Sequence, residues 1–245
     1  MPSSTQHVAA SLLGGLLSLG CASAPAPVAT ARPASPAWLS DELAVVQSAG
    51  LEPALEKPFE YAVPVVHGQA LDTRSASMTN CTAYFALKAQ GFAAVSDQEH
   101  DLMRLEGVRC HALRMAAKLS GAACTESRHL LEATLSELPP SLGPSPAPSI
   151  AAQRESAARR GTSWADYAKG AKVVAKPDLL TIDEPEFVTE LTPLASGDLN
   201  GDHKPDVLVR AVGYGHEGTW RDIRLLVLTR ACDSRRYELV QTVLP

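Results

Sequence analysis

Residues 139–149 read PPSLGPSPAPS, and the hydrophobic period of the chain differs on its two sides. Proline fixes φ and removes a backbone donor, so such a run continues neither a helix nor a central strand. It is expected to be a linker (139–150), either a domain boundary or a long surface crossing. Upstream, residues 37–138 carry apolar positions at helical spacing; downstream, residues 151–245 carry short apolar runs separated by tight turns. The expected fold class is α+β: a helical N-terminal region followed by a small antiparallel meander in the C-terminal part.

The helical half has recognisable punctuation. Ser35-Pro36 supplies an N-cap with Pro at N1, and Gly50 supplies a stop. Residues 51–79, broken by Pro53, Pro58 and Pro64, are expected to be loop with one short strand. A helix is expected over Cys81–Gln90. Ser96-Asp97-Gln98-Glu99 is a capping box. The helix it opens carries Leu102, Leu105, Val108, Ala112, Leu113, Ala116 and Leu119, and ends at Gly121. A last helix is expected over Glu126–Leu138. Beyond the linker, a helix-prone stretch (151–160) precedes strands at 171–174, 179–182, 187–194, 207–212, 223–229 and 237–243. Gly213, Gly215 and Gly218 are expected in the connection after Val212.

Five cysteines are present, none in a C-x-x-C pair, so a zinc knuckle or thioredoxin-type motif is not supported. Residues 8–20, VAASLLGGLLSLG, are too short to span a bilayer and suit the apolar part of a secretory signal (1–20). The stretch LSLGC resembles the lipobox of bacterial lipoproteins, with Gly20 before Cys21. That resemblance implies lipidation of Cys21, attachment to the membrane through the lipid and, with Ala22 following, the outer membrane. An Ala/Pro-rich tether (21–36) follows. Four cysteines remain, Cys81, Cys110, Cys124 and Cys232, and an exported chain is expected to pair them. Three connectivities are possible. Cys81 and Cys110 lie on neighbouring expected helices, which favours that bridge and leaves Cys124 for Cys232; buried free thiols are the alternative.

A net charge of -5 and a pI near 5.8 argue against a nucleic-acid partner, which calls for a basic footprint. The chemistry of the chain lies elsewhere, in GDLNGDHKPD at 197–206. Counted from Asp198, oxygen-bearing side chains fall at positions 1, 3, 5 and 9, namely Asp198, Asn200, Asp202 and Asp206. Lys204, at position 7, can offer its carbonyl. Such spacing lets a tight loop wrap a hard cation. Position 12 is Val209, so this is no EF-hand. The alternative is a polar turn whose side chains cap their own backbone.

The stretch GDLNGDHKPDVLV resembles the calcium loop of FG-GAP and VCBS-type repeats, in which D-x-N-x-D-G-x-x-D leads into a strand. The resemblance covers about 15 residues and implies a Ca2+ ion held by Asp198, Asn200, Asp202, Lys204 and Asp206. His203 stands where the family has glycine. No second copy is found, which excludes a propeller. The C-terminal half, with this loop followed by RLLVLTR and YELV, also resembles uncharacterised bacterial lipoproteins. The expected function is an exported, lipid-anchored cell-envelope protein, a non-enzymatic binding or structural module with a protein or cell-wall partner. The alternative is a secreted hydrolase using the Gly213–Asp222 loop, which gathers His216, Glu217, Trp220, Arg221 and Asp222. Asp183, Glu184 and Glu186 are candidate paired carboxylates, and His100, Arg104 and His111 share a helical face; solvated surface is the expectation for both groups.

Overall fold

The computed structural model describes residues 35–68, 73–124 and 130–244. The expected signal, most of the tether and Cys21 lie outside the described residues. The chain runs β1 (Ala37–Trp38), α1 (Asp41–Ala49), α2 (Leu51–Glu56), β2 (Val63–His67), β3 (Arg74–Met78), α3 (Cys81–Ala89) and α4 (Asp97–Ala116). It continues through α5 (Pro148–Arg159), α6 (Trp164–Tyr167), β4 (Lys172–Ala175), β5 (Leu180–Asp183), β6 (Phe187–Gly197), β7 (Asp206–Gly215), β8 (Arg221–Thr229) and β9 (Glu238–Val243). Strands β4 to β9 form an antiparallel meander in sequence order, and β1 joins it on β6. The α+β expectation holds, and the sheet is larger than expected, with seven strands among the described residues.

Alternation along the strands buries both faces of this sheet. Leu208, Leu225 and Val227 pack with α1, α3 and α4 in a core that includes Leu43, Val63, Tyr84, Met103, Val108 and Leu113. Their neighbours Val207, Val209, Leu226 and Leu228 face the other way, onto Leu130, Leu138, Leu142 and Trp164. Helix α4 begins where its capping box places it: Ser96 Oγ accepts from Glu99 N–H at 3.2 Å, and Glu99 Oε2 accepts from Ser96 N–H at 2.9 Å. Two orphan donors are satisfied, and the 20-residue helix then buries Met103, Val108, Cys110, Leu113 and Ala116. Burial pushes the Tyr84 phenol in this core up to about 12.

Several expectations are corrected. Residues 37–38 are strand, paired with Ser196 and Ala195, and helix starts only at Asp41. Pro193 explains where β1 fits: it lies at a bulge in β6, between Leu191, which pairs with Leu180 at the start of β5, and Ala195, which pairs with Trp38 at the end of β1. Residues 51–79 are not mainly loop. Pro53 sits in the first turn of α2, where its missing N–H costs no intrahelical bond. Pro64 sits in the two-stranded β2–β3 hairpin, opposite Ser77. No α-helix covers 130–138: Leu130–Glu132 is a 3₁₀ turn, and 125–129 lie outside the described residues. Gly213, Tyr214 and Gly215 belong to β7, so the connection to β8 is confined to residues 216–220.

The Pro/Ser-rich segment also departs from expectation, because residues 140–144 are buried against the sheet. Buried charge holds it there. Arg154 makes two bonds to Glu184, at 3.1 and 2.5 Å, and donates to the Pro140 carbonyl at 3.2 Å. The Trp164 indole N–H donates to the same carboxylate. Arg224 donates to the carbonyls of Leu142 and Gly143, both at 2.9 Å, and its Nε lies 2.9 Å from Asp222 Oδ2. Burial draws the Arg224 guanidinium down from its ordinary value, against the pull of Asp222. Gly213 is required for this fit: a Cβ there would lie 2.4 Å from Pro144 Cβ. Gly213→Ala is therefore expected to destabilise by about 1–3 kcal/mol through overpacking, measured by urea unfolding.

Both expected bridges form, Cys81–Cys110 and Cys124–Cys232.

Candidate functional site

The β6–β7 connection carries the oxygen-rich sequence. It is braced by the arm that follows α4. Ser120 and Asp198 exchange backbone hydrogen bonds at 3.0 and 2.9 Å, and Ala123 N–H donates to the His203 carbonyl at 2.7 Å. Gly197 permits this approach, since a Cβ there would lie 2.8 Å from the Ser120 carbonyl oxygen. Cys124 then ties the arm to Cys232, beyond β8.

Within the loop the side chains turn back on the backbone. Asp198 Oδ1 accepts from Asn200 N–H at 3.2 Å and Gly201 N–H at 2.7 Å; its Oδ2 accepts from His203 N–H at 2.9 Å. Asn200 Oδ1 accepts from Asp202 N–H, and Asp202 Oδ1 from Lys204 N–H, each at 2.9 Å. These bonds curl the chain into successive tight turns. The curl needs left-handed backbone at Gly201 (φ 80°) and at His203 (φ 66°). At His203 a side chain bears the conformational cost that glycine would avoid.

Asp206 closes the loop and begins β7. It is fully buried, and its Oδ2 accepts from Leu199 N–H at 2.9 Å. Its Oδ1 has no hydrogen-bond partner, although the Thr229 hydroxyl lies close enough to favour the carboxylate. Burial pushes the Asp206 carboxyl up, and the charges of Asp202 and Asp198 push it further; the Leu199 N–H and Thr229 oppose them. Asp202 is exposed, and the Lys204 N–H holds its carboxyl below the ordinary range. The Lys204 ammonium lies 3.4 Å from Asp202 Oδ2. Among the described residues, no three carboxylate, imidazole or thiol side chains converge closely enough to hold a metal ion. The side-chain acceptors of the loop are oxygens, the ligand type a hard cation takes, and the buried Asp206 Oδ1 among them has only the Thr229 hydroxyl near it.

The other candidates are taken up in contacts with one another and with the cores. Glu184 is buried on Arg154 and Trp164, where a solvated turn was expected. Asp183 faces His216, whose Nε2 lies 3.0 Å from Asp183 Oδ1 and 2.9 Å from the Glu184 carbonyl oxygen. His111 packs edge-on against Tyr84 and Phe85, and Arg104 donates to the Arg221 carbonyl at 3.3 Å, so these two serve different contacts. The Gly213–Asp222 stretch borders a groove of about 1220 Å³ whose opposite wall is the N-terminal half of α4. Asp97, Asp101 and Glu190 line that groove, and sequence spacing does not reveal the grouping, because they come from a helix and a strand far apart in the chain.

Comparison with protein families, with curated proteins and with solved structures finds no match to this chain. Among the described residues no helix is long and apolar enough to cross a membrane.

Proposed function

We propose that this chain is an exported, non-enzymatic binding or structural module of the cell envelope, whose β6–β7 loop holds one structural calcium ion. The calcium reading is supported by the buried Asp206 carboxyl, whose Oδ1 has only the Thr229 hydroxyl near it, at the base of a loop with oxygen side chains at alternate positions. Asp198, Asn200, Asp202 and Asp206 would supply side-chain oxygens, and Lys204 its carbonyl. Bound calcium supplies positive charge that relieves the mutual repulsion of the three carboxylates. The chain contributes the turn bonds that orient the loop and the bracing arm that fixes its position. The Lys204 ammonium already offsets part of the charge at Asp202, so a cation competes with it there. The envelope location rests on the leader and on Cys21 as lipid attachment, with the membrane as the partner of the lipid and the outer membrane favoured.

The groove beside residues 213–222 favours a second reading, a secreted hydrolase. The binding reading is preferred because the polar groups near that loop engage one another as structural pairs. Glu184 is committed to Arg154, and His216 to Asp183 and a backbone carbonyl.

Calorimetric titration of the full chain with calcium chloride tests the ion. One ion per chain is expected, with a Kd of about 10⁻⁴–10⁻³ M, as for extracellular modules, and Asp206→Asn is expected to abolish the binding heat. Wild-type protein that takes up no calcium would overturn the proposal.

A further inference from the structure

The groove between α4 and the β7–β8 hairpin has walls of two kinds. Three aromatic rings line it: Tyr61 is 64% exposed, Trp220 is 38% exposed, and Tyr214 projects from β7. These are large amphipathic rings left open to solvent, unlike Tyr84 and Trp164, which are packed in the cores. Phe187 supports the indole of Trp220 edge-on, with ring centroids 6.4 Å apart. Carboxylates line the same space: Asp97 and Asp101 on one face of α4, one turn apart, and Glu190 on β6. The Tyr214 hydroxyl donates to Glu190 Oε1 at 3.2 Å, which fixes that carboxylate within the groove. Two cations stand against the three acids: Arg221 Nε lies 3.9 Å from Asp101 Oδ2, and Arg104 reaches the Arg221 carbonyl where the two walls meet.

An excess of negative charge beside exposed aromatic faces attracts cations in two ways, by direct charge pairing and through the ring quadrupoles. The volume, about 1220 Å³, exceeds that of a typical small-molecule pocket, so a chain segment suits it better than a metabolite. The α4 wall is held to the β8 wall by the Arg104 bond to the Arg221 carbonyl and by the Arg221–Asp101 pair, so the groove is formed before any ligand arrives. We infer that this groove binds a basic peptide segment, its Lys or Arg side chains seated between the Tyr61 and Trp220 rings and the carboxylates of Asp97, Asp101 and Glu190. The inference rests on the binding-module reading and gives that module a surface and a class of partner. It is independent of the calcium loop, which lies at the opposite end of β7.

The test uses the full chain and a fluorescein-labelled tetralysine peptide, followed by anisotropy at low salt. Binding is expected to weaken at least about tenfold in Asp101→Asn/Glu190→Gln and in Trp220→Ala, and to weaken as salt is raised from about 50 to about 300 mM. A control of equal charge change away from the groove, Glu155→Gln/Asp178→Asn, is expected to bind as wild type, which separates the groove from general attraction to an acidic protein. Circular dichroism checks that each variant is folded. Three results overturn the inference: no peptide binding at low salt, groove variants that bind as wild type, or displacement of the peptide by a neutral hexasaccharide with salt-independent affinity, which would make this a glycan groove. Mass spectrometry of the incubated peptide distinguishes the parent reading. Cleavage of a peptide that still requires Asp101 and Glu190 would leave the basic-segment preference standing and overturn the non-enzymatic module.

Discussion

Replacing Cys124 and Cys232 together by serine is expected to lower stability by about 5 kcal/mol, from a bridge that spans 108 residues of sequence. The effect follows from chain entropy, since the unfolded chain without the bridge gains the freedom of a very long loop. The Cys81–Cys110 bridge, with a separation of 29, is worth less by the same reasoning, about 3.6 kcal/mol. Urea unfolding of the two double-serine variants ranks them. The long bridge also has a local consequence. Residues 120–124 brace the β6–β7 loop through Ser120 and Ala123, so losing the bridge should loosen that loop as well as the global fold. Equal destabilisation by the two variants would contradict the loop-length account.

Arg154→Met is expected to cost about 3–5 kcal/mol, because it leaves the Glu184 carboxylate buried without its ion partner. The loss should not be read as the net worth of the pair. Replacing both partners, Arg154→Met with Glu184→Leu, is expected to recover much of the stability, since neither charge then has to be desolvated. The recovery will be incomplete: the Trp164 N–H would lose its acceptor and the Pro140 carbonyl its donor. Equilibrium unfolding of the two single variants and the double variant gives the coupling directly. Trp164 is fully buried beside Glu184, and in a background without Trp38 and Trp220 its fluorescence is a local reporter.

Where sequence and structure agree, the information was local. The α4 capping box and its 3-4 stripe specify a helix from residues that touch one another, and the β4–β9 meander follows from alternation and turns. Where they part, distant residues decide. The segment 139–149 has the composition of a surface linker, but Arg154 of α5 and Arg224 of β8 donate to its carbonyls, and Glu184, after β5, holds Arg154 in place. Nothing in its own composition announces those partners. Gly213 follows the same logic: glycine reads as a turn in one dimension, whereas Pro144 requires it as a point of close approach within a strand. Pro53 and Pro64 read as breakers and occupy the positions where a helix and an edge strand tolerate proline. For the candidate site, alternate spacing identified the loop, and the resemblance to repeats with glycine at position 203 pointed to the residue that takes left-handed backbone. Neither could reveal that Asp206 is buried, or that the acids of α4 and β6 share a groove with the β7–β8 hairpin.

Thermal unfolding of the full chain, with calcium and with chelator, tests the calcium loop most directly. At about 1 mM calcium and a Kd of about 10⁻⁴–10⁻³ M, linkage gives roughly 0.4–1.4 kcal/mol of stabilisation. For a chain of this size that is a rise in Tm of about 1–6 °C, and the rise should vanish in Asp206→Asn. Equal melting temperatures for wild type in calcium and in chelator, or a rise that persists in Asp206→Asn, would contradict the account.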